Sequence, residues 1–406
     1  MRTALPIADQ GLIAAFNLAL QLALIRFATP LDYGLFVVWQ SLVMMAVSAM
    51  EALVGVPLAV RITYTPNRPR RAALEGHLAA VALFLAVAAG AVAASLVALT
   101  AGALFLALSV GAFATAFCLY AATRFLALSR MDFSAALVID GTYAALSAAG
   151  VAAHVAATGG IHLPTLFAIL AIAPLAAVVA GFVAMPAPPR PRRRALLRYR
   201  PIFRDTRWTL VAAIATEAQN RAYIFILTAI YGAAAMASVF AGIIVLRHIV
   251  ILTLAWTAFA RPYLAKLRDQ GAFSAIARFV IVSIGALAGL YVVNLCLVAL
   301  VWPLVETYVY AGKYEGMLTV VAVWTMISIA QVPMQPLAVA LVALGRFRDD
   351  STAVMVGAPL ALAAVLALAL TAGPLAAICG SLAGLIVTIT LMARRLTREL
   401  KRRTAP

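Results

Sequence analysis

Charge is scarce in this sequence, and acid scarcest: Asp and Glu number 14 in 406 residues, and charged residues of both signs make up 11%. Soluble domains carry about 25%, so a soluble globule is excluded. Cysteine is almost absent. Cys118, Cys296 and Cys379 stand singly in apolar runs with no CxxC pair, which excludes a disulfide framework and a cysteine metal site. No G-x-x-x-x-G-K-[ST] loop, H-E-x-x-H, nucleophile elbow or pair of loop carboxylates is present, so neither phosphate-loop ATP hydrolysis nor enzymatic chemistry is expected, and no cofactor or metal. Long polar segments are missing too, apart from one.

What remains is 65% hydrophobic and falls into repeated apolar runs of about 20 residues, the length of a helix that crosses a bilayer. The fold class expected is an all-α polytopic membrane protein. Twelve spans are predicted, near 4–25, 35–60, 78–99, 104–127, 135–157 and 163–185, then 208–231, 238–260, 276–302, 317–344, 353–371 and 375–393. The first run is too long for a signal peptide, is interrupted by Asp9, Gln10, Asn17 and Gln21, and lacks a cleavage site. It reads as a retained helix. The polar exception, Met185–Trp208, holds Pro186, Pro188, Pro189 and Pro191 and eight arginines. It divides the chain into an N-terminal six-helix half (1–185), a Pro/Arg-rich linker (186–207), a C-terminal half (208–393) and a basic tail (394–406).

The net charge of +17 would suggest nucleic acid in a soluble protein. Here Arg and Lys cluster in alternate loops, with only Arg26 and Lys313 on the opposite side, and orientation explains the excess. Linker and both termini are therefore expected in the cytoplasm, with Arg124, Arg130 and Asp132 marking one cytoplasmic loop. Anionic lipid headgroups are the expected partner of Ala195–Phe203, and nucleic acid is not expected. The opposite-side loops are short; even Pro303–Gly316 is too small to fold as a domain, which weighs against an external glycan-processing enzyme.

Polar residues inside the spans gather on few helices. The first carries Gln10, Asn17 and Gln21 on one face, the second Gln40, Ser48 and Glu51, and the fifth Asp140 with Tyr143 and Ser147. In the second half the seventh carries Glu217, Asn220 and Arg221, the eighth Arg247 and His248, and the tenth Ser328, Gln331 and Gln335. Matching polar stripes in the two halves predict a cavity at the repeat interface. Two blander readings stand beside this one. Glu217 and Arg221 at i, i+4 pair within their own helix, and Gln/Asn stripes serve as interhelical hydrogen-bond glue. His77, His154 and His162 lie at span ends and read as interfacial.

Between the first two spans, Arg26-Phe27-Ala28-Thr29-Pro30-Leu31-Asp32-Tyr33-Gly34-Leu35-Phe36 resembles the R-x-L-G-P-x-x-Y-G-x-[FY] stretch of polysaccharide flippases, with Thr29 in place of Gly. Those proteins belong to the multidrug/oligosaccharidyl-lipid/polysaccharide exporter superfamily. Ala237–Phe240 echoes this stretch in the second half. Tyr310–Tyr314 is similar to the family's external G-x-x-Y turn, one residue tighter, and Leu344–Arg348 to its G-[RK]-x-[RK] turn. The major-facilitator signature G-x-x-x-D-[RK]-x-G-[RK] is absent from Arg61–Gly76.

The resemblance implies two six-helix halves around a cavity with alternating access. It also implies a lipid-linked (polyprenyl-pyrophosphate) oligosaccharide as substrate for surface polysaccharide or lipopolysaccharide assembly at a bacterial inner membrane, with other assembly proteins as partners. On that reading Arg221 and Arg247 neutralise pyrophosphate. Asn17, Gln21, Gln40, Asn220, Gln331 and Gln335 hydrogen-bond sugars, and Arg26 receives the head group at the outer mouth. Glu51, Asp140 or Glu217 binds a coupling ion. The competing expectation is a multidrug antiporter of the same superfamily.

Overall fold

The computed structural model describes the backbone of residues 4–63, 67–187, 189, 195–314 and 316–404. The linker's Pro188 and Arg190–Arg194 lie outside the described residues, as does the side chain of His248. The chain divides into two compact units, Met1–Ile214 and Ala215–Pro406.

In the first unit, α1 (Ala4–Phe27) is followed by α2 (Pro30–Met50), a π-helical turn (Glu51–Gly55) and α3 (Val56–Thr63), which continue one another as a single rod. Then come α4 (Arg68–Ala101), α5 (Leu104–Ser129), α6 (Phe133–Thr158) and α7 (Leu163–Ala184). The ends follow local chemistry. Thr29 caps α2 by accepting from the Asp32 N–H at 3.1 Å, and Pro30 takes the first turn, where its missing N–H costs nothing. Asp132 caps α6 through the Ala135 N–H at 3.0 Å, and Gly159, at φ 72°, closes it in the left-handed conformation that glycine adopts freely.

Four residues after Leu53 stands Pro57, which has no N–H to offer the Leu53 carbonyl. Leu53 O accepts instead from Tyr199 Oη at 2.5 Å, from the beginning of α8 (Ala195–Tyr231). Burial pushes the Tyr199 phenol above its ordinary range, which keeps it a donor. Residues 195–207, the second part of the linker, are thus helical and continuous with the seventh span.

The second unit starts inside α8. It holds α9 (Ala233–Ile244), α10 (Arg247–Asp269), α11 (Phe273–Leu300), the short α12 (Trp302–Leu304) with a second π turn (Val305–Tyr310), α13 (Met317–Gln331), α14 (Met334–Ala343), α15 (Phe347–Thr371), α16 (Pro374–Cys379) and α17 (Ser381–Thr404). Pro333 and Pro336 lack N–H donors, and the tenth rod breaks at 332–333 into α13 and α14.

Among the described residues, ten segments are long and apolar enough to cross a membrane. The two other predicted spans are α8, which carries Glu217 and Arg221, and α9–α10, which is interrupted just before Arg247. Exposed Phe84, Val87, Leu104, Phe105, Val183, Ile281 and Leu300 are what a lipid-facing surface requires. Counted as six rods per unit, the packing around the fourth rod and between the last two rods recurs in both. In the first unit α5 packs on α2–α3, α4 and α7, and α6 packs on α7. In the second, α13–α14 pack on α9–α10, α11 and α17, and α15 packs on α17. The chain is an all-α polytopic membrane protein built from a repeated six-rod unit.

Small residues let some rods touch through their backbones, the usual way membrane helices gain packing without a hydrophobic driving force. A Cβ on Gly111 of α5 would stand 2.9 Å from Gly90 O of α4, and one on Gly357 of α15 2.5 Å from Gly384 O of α17.

Candidate functional site

In the second unit, three helices bring polar side chains to one cavity of about 240 Å³. From α8 come Gln219, Asn220 and Tyr223; from α13 Trp324, Ile327 and Gln331, at i, i+3 and i+7 and so on one face; from α17 Ser381 and Leu385. Ile243 of α9 completes the wall. The Trp324 indole N–H donates to Val239 O at 2.7 Å, and its ring meets Tyr223 edge to face with centroids 5.4 Å apart. These contacts hold two large aromatic rings still, both nearly buried. The amide oxygen of Gln219 is buried with no partner in the protein, while Asn220 and Gln331 are exposed. Neither acid nor base is found among the lining residues.

The sequence-derived residues of this unit therefore separate. Asn220 and Gln331 meet in the cavity. Gln335, exposed on α14 beyond the proline break, is not part of its wall. Arg221 donates from Nε to Glu217 one turn earlier on the same helix, so the intrahelical pairing read from the sequence is formed, with Arg221 still 30% exposed. Arg247 opens α10 with its guanidinium 5.9 Å from the centre of the Phe240 ring.

In the first unit, Gln21 is buried and bonded twice. Its amide donates to Gln40 Oε1 at 3.1 Å and its oxygen accepts from Tyr33 Oη at 3.0 Å. This joins α1 to α2, the glue reading of the stripe, worth about 0.6–2 kcal/mol per bond in a membrane. Asn17 is half-buried, Arg26 is exposed in the last turn of α1, and Glu51 is exposed where the π turn begins.

Asp140 sits in a buried charge cluster that sequence reasoning missed. Its Oδ1 accepts from Tyr120 Oη at 2.5 Å, and its Oδ2 from Arg124 Nε at 2.6 Å. Arg124 Nη2 reaches Asp9 of α1 at 3.0 Å, so one guanidinium joins α1, α5 and α6. Tyr143 and Ser147, expected on a cavity-lining face with Asp140, are buried with it. The assignment of Arg124 to a cytoplasmic loop is corrected. Helix α5 runs to Ser129, and only Arg130, Met131 and Asp132 form the turn. The available signal was Arg124 inside an apolar run, where a charge demands a partner. Near that turn, Glu75 of α4 is nearly buried and accepts from Arg130 at 3.1 and 2.5 Å, while Arg130 also donates to Pro186 O at 3.1 Å.

No protein-family model matches the sequence, and no curated relative was found. Solved structures do match. A multidrug resistance MATE family transporter of the MOP superfamily, in an inward-facing conformation, superposes with TM-score 0.69 at 12% identity over 100% of this chain and 96% of that one. The lipid II flippase MurJ, in an inward closed conformation, gives 0.68 at 12% identity over 99% and 89%. A MOP superfamily transporter from Pyrococcus furiosus, noted for the reverse polarity of its binding pocket, gives 0.56 at 11% identity over 100% and 93%. With these TM-scores and end-to-end coverage, this chain has the fold of the MOP superfamily transporters.

Proposed function

We propose that the protein is a non-enzymatic flippase or exporter that carries a lipid-linked oligosaccharide, borne on polyprenyl pyrophosphate, across a bacterial inner membrane with both termini in the cytoplasm. The two six-helix halves would alternate in opening a central path to either side. The observation that carries this reading is the uncharged polar cavity of the second unit. Hydroxyl-rich cargo loses water on entry and needs hydrogen-bonding amides and hydroxyls in exchange, which Gln219, Asn220, Gln331 and Ser381 provide. Cationic drugs need an acidic lining, and no Asp or Glu is among the lining residues. The fold is shared with both the MATE transporters and the MurJ flippase, so it does not by itself choose between them.

In this scheme Arg221 and Arg247 meet the pyrophosphate, Arg26 receives it on the outer side, and Asn17, Gln40 and Gln335 contribute sugar contacts along the path. Anionic lipids hold the basic linker and tail at the membrane, and the enzymes of polysaccharide assembly supply and consume the cargo. Of the three ion-coupling residues, Asp140 is answered by Arg124 and Glu217 by Arg221, while Glu51 is exposed on its π turn. Coupling is accordingly assigned to Glu51.

Proteoliposomes loaded with a polyprenyl-pyrophosphate oligosaccharide, challenged with a membrane-impermeant glycosidase, test the reading. The wild type is expected to expose the inner-leaflet glycan, and Arg221→Gln to insert normally but flip about ten to a hundred times more slowly, the loss of one charged hydrogen bond. An inactive wild type that instead extrudes a cationic dye would establish the antiporter; undiminished flipping by the variant would remove Arg221 from the path. For Glu51→Gln, transport is expected to lose any dependence on an imposed pH gradient, and unchanged dependence would rule out the coupling role.

A further inference from the structure

We infer that the cavity between α8, α13 and α17 is a sugar-reading subsite that takes one uncharged pyranose unit of the glycan, either a neutral hexose or an N-acetylhexosamine. The inference rests on the transport reading above and adds to it the size, charge and donor pattern of what is recognised.

Size comes first. Pockets for drug-sized ligands run to about 300–1,000 Å³, and this one, near 240 Å³, holds a single ring rather than a chain of them. The walls come next. The edge-to-face pair of Tyr223 and Trp324 presents an apolar surface suited to the C–H face of a sugar ring. The indole N–H is already committed to Val239 O, so Trp324 contributes a fixed ring and no donor. Around this surface stand groups that suit the hydroxyl edge: Gln219, Asn220, Gln331 and Ser381.

The unpartnered Gln219 oxygen points to the ligand. A buried acceptor left without a donor is destabilising, and a sugar O–H or an acetamido N–H in the cavity supplies that donor. Charge narrows the class further. A uronic acid would bring a carboxylate into a site with no lysine or arginine among its lining residues, and its lost hydration would go uncompensated. The nearest guanidinium in sequence, Arg221, is not among the lining residues. Neutral sugar and charged pyrophosphate are thus read at different places on the path.

Saturation-transfer NMR on the purified full-length protein in detergent tests this, with the methyl glycosides of glucose, galactose, mannose and N-acetylglucosamine as neutral probes and methyl glucuronide as the charged one. At least one neutral glycoside is expected to bind saturably in the millimolar range, with the glucuronide at least tenfold weaker. Gln219→Leu is expected to weaken the neutral probe at least tenfold. Gln331→Leu, at an exposed position that does not endanger folding, is expected to weaken it several-fold. Absence of saturable binding by every neutral glycoside, equal binding of the glucuronide, or affinity unchanged in a folded variant would each overturn the subsite. The glycosidase assay reports on transport separately. Flipping without glycoside binding sinks this inference alone, and glycoside binding without flipping sinks the transport reading alone.

Discussion

Arg124→Leu is expected to lower stability by about 3–5 kcal/mol, the usual consequence of removing one partner from a buried charge cluster. The substitution leaves Asp140, fully buried, and Asp9, 2% exposed, as two carboxylates with no cation between them. Tyr120 can still donate to Asp140, but one hydroxyl does not offset a buried negative charge. The triple variant Arg124→Leu/Asp9→Asn/Asp140→Asn removes both charges and is expected to regain most of the loss, because exchanging a whole buried ion cluster for neutral groups is often close to neutral in energy. Melting of the purified protein in detergent checks both. A single variant that melts with the wild type, or a triple variant no better than the single, would mean that water reaches the cluster and that it does not hold α1, α5 and α6 together.

The second large effect is expected at Gly384. A Cβ there would meet Gly357 O, and would stand 2.6 Å from Ala361 Cβ and 2.8 Å from Ala361 N. The obstacles are backbone and a side chain with no rotamer to change, so α15 and α17 must separate. Gly384→Val is expected to cost at least the roughly 1–3 kcal/mol typical of overpacking. It should also break the bond from Thr388 Oγ1 to Ala353 O, 3.4 Å long in the native packing. Gly289→Val on α11 is the control: nothing lies within 4 Å of its added Cβ, and a change within about 0.5 kcal/mol is expected. Equal melting temperatures for the two variants would refute the close crossing.

Both predictions concern features that linear reading handles poorly. The rods were legible because a bilayer sets their length and composition, and the apolar runs marked even α8 and α9–α10 as spans although both carry charge. The cavity was half legible. Asn220 and Gln331 stood out as polar groups in apolar runs, but Tyr223 and Trp324 looked like ordinary packing aromatics, and Gln219 sat off the stripe that Glu217, Asn220 and Arg221 drew. The charge cluster was illegible for a different reason. Arg124 finds its acids 16 and 115 residues away, and a count of loop arginines assigned it to orientation before a partner could be sought. Asp9 was visible, but only as an interruption that argued against a signal peptide.

The π turn at Glu51–Gly55 carries a consequence for how the second rod's surface is organised. The N–H of Val56 bonds to Glu51 O, five residues back, so this turn contains one residue more than an α-helical turn. Each α-helical residue advances about 100° around the axis, and everything after Gly55 is therefore out of phase with what precedes it by about that angle. The stripe of Gln40, Ser48 and Glu51 ends at this point, and Arg61 belongs to a different face from the one that a constant helical period would assign. One continuous rod thus has two registers, and just past their boundary Pro57, with no N–H, leaves the Leu53 carbonyl to Tyr199 of α8.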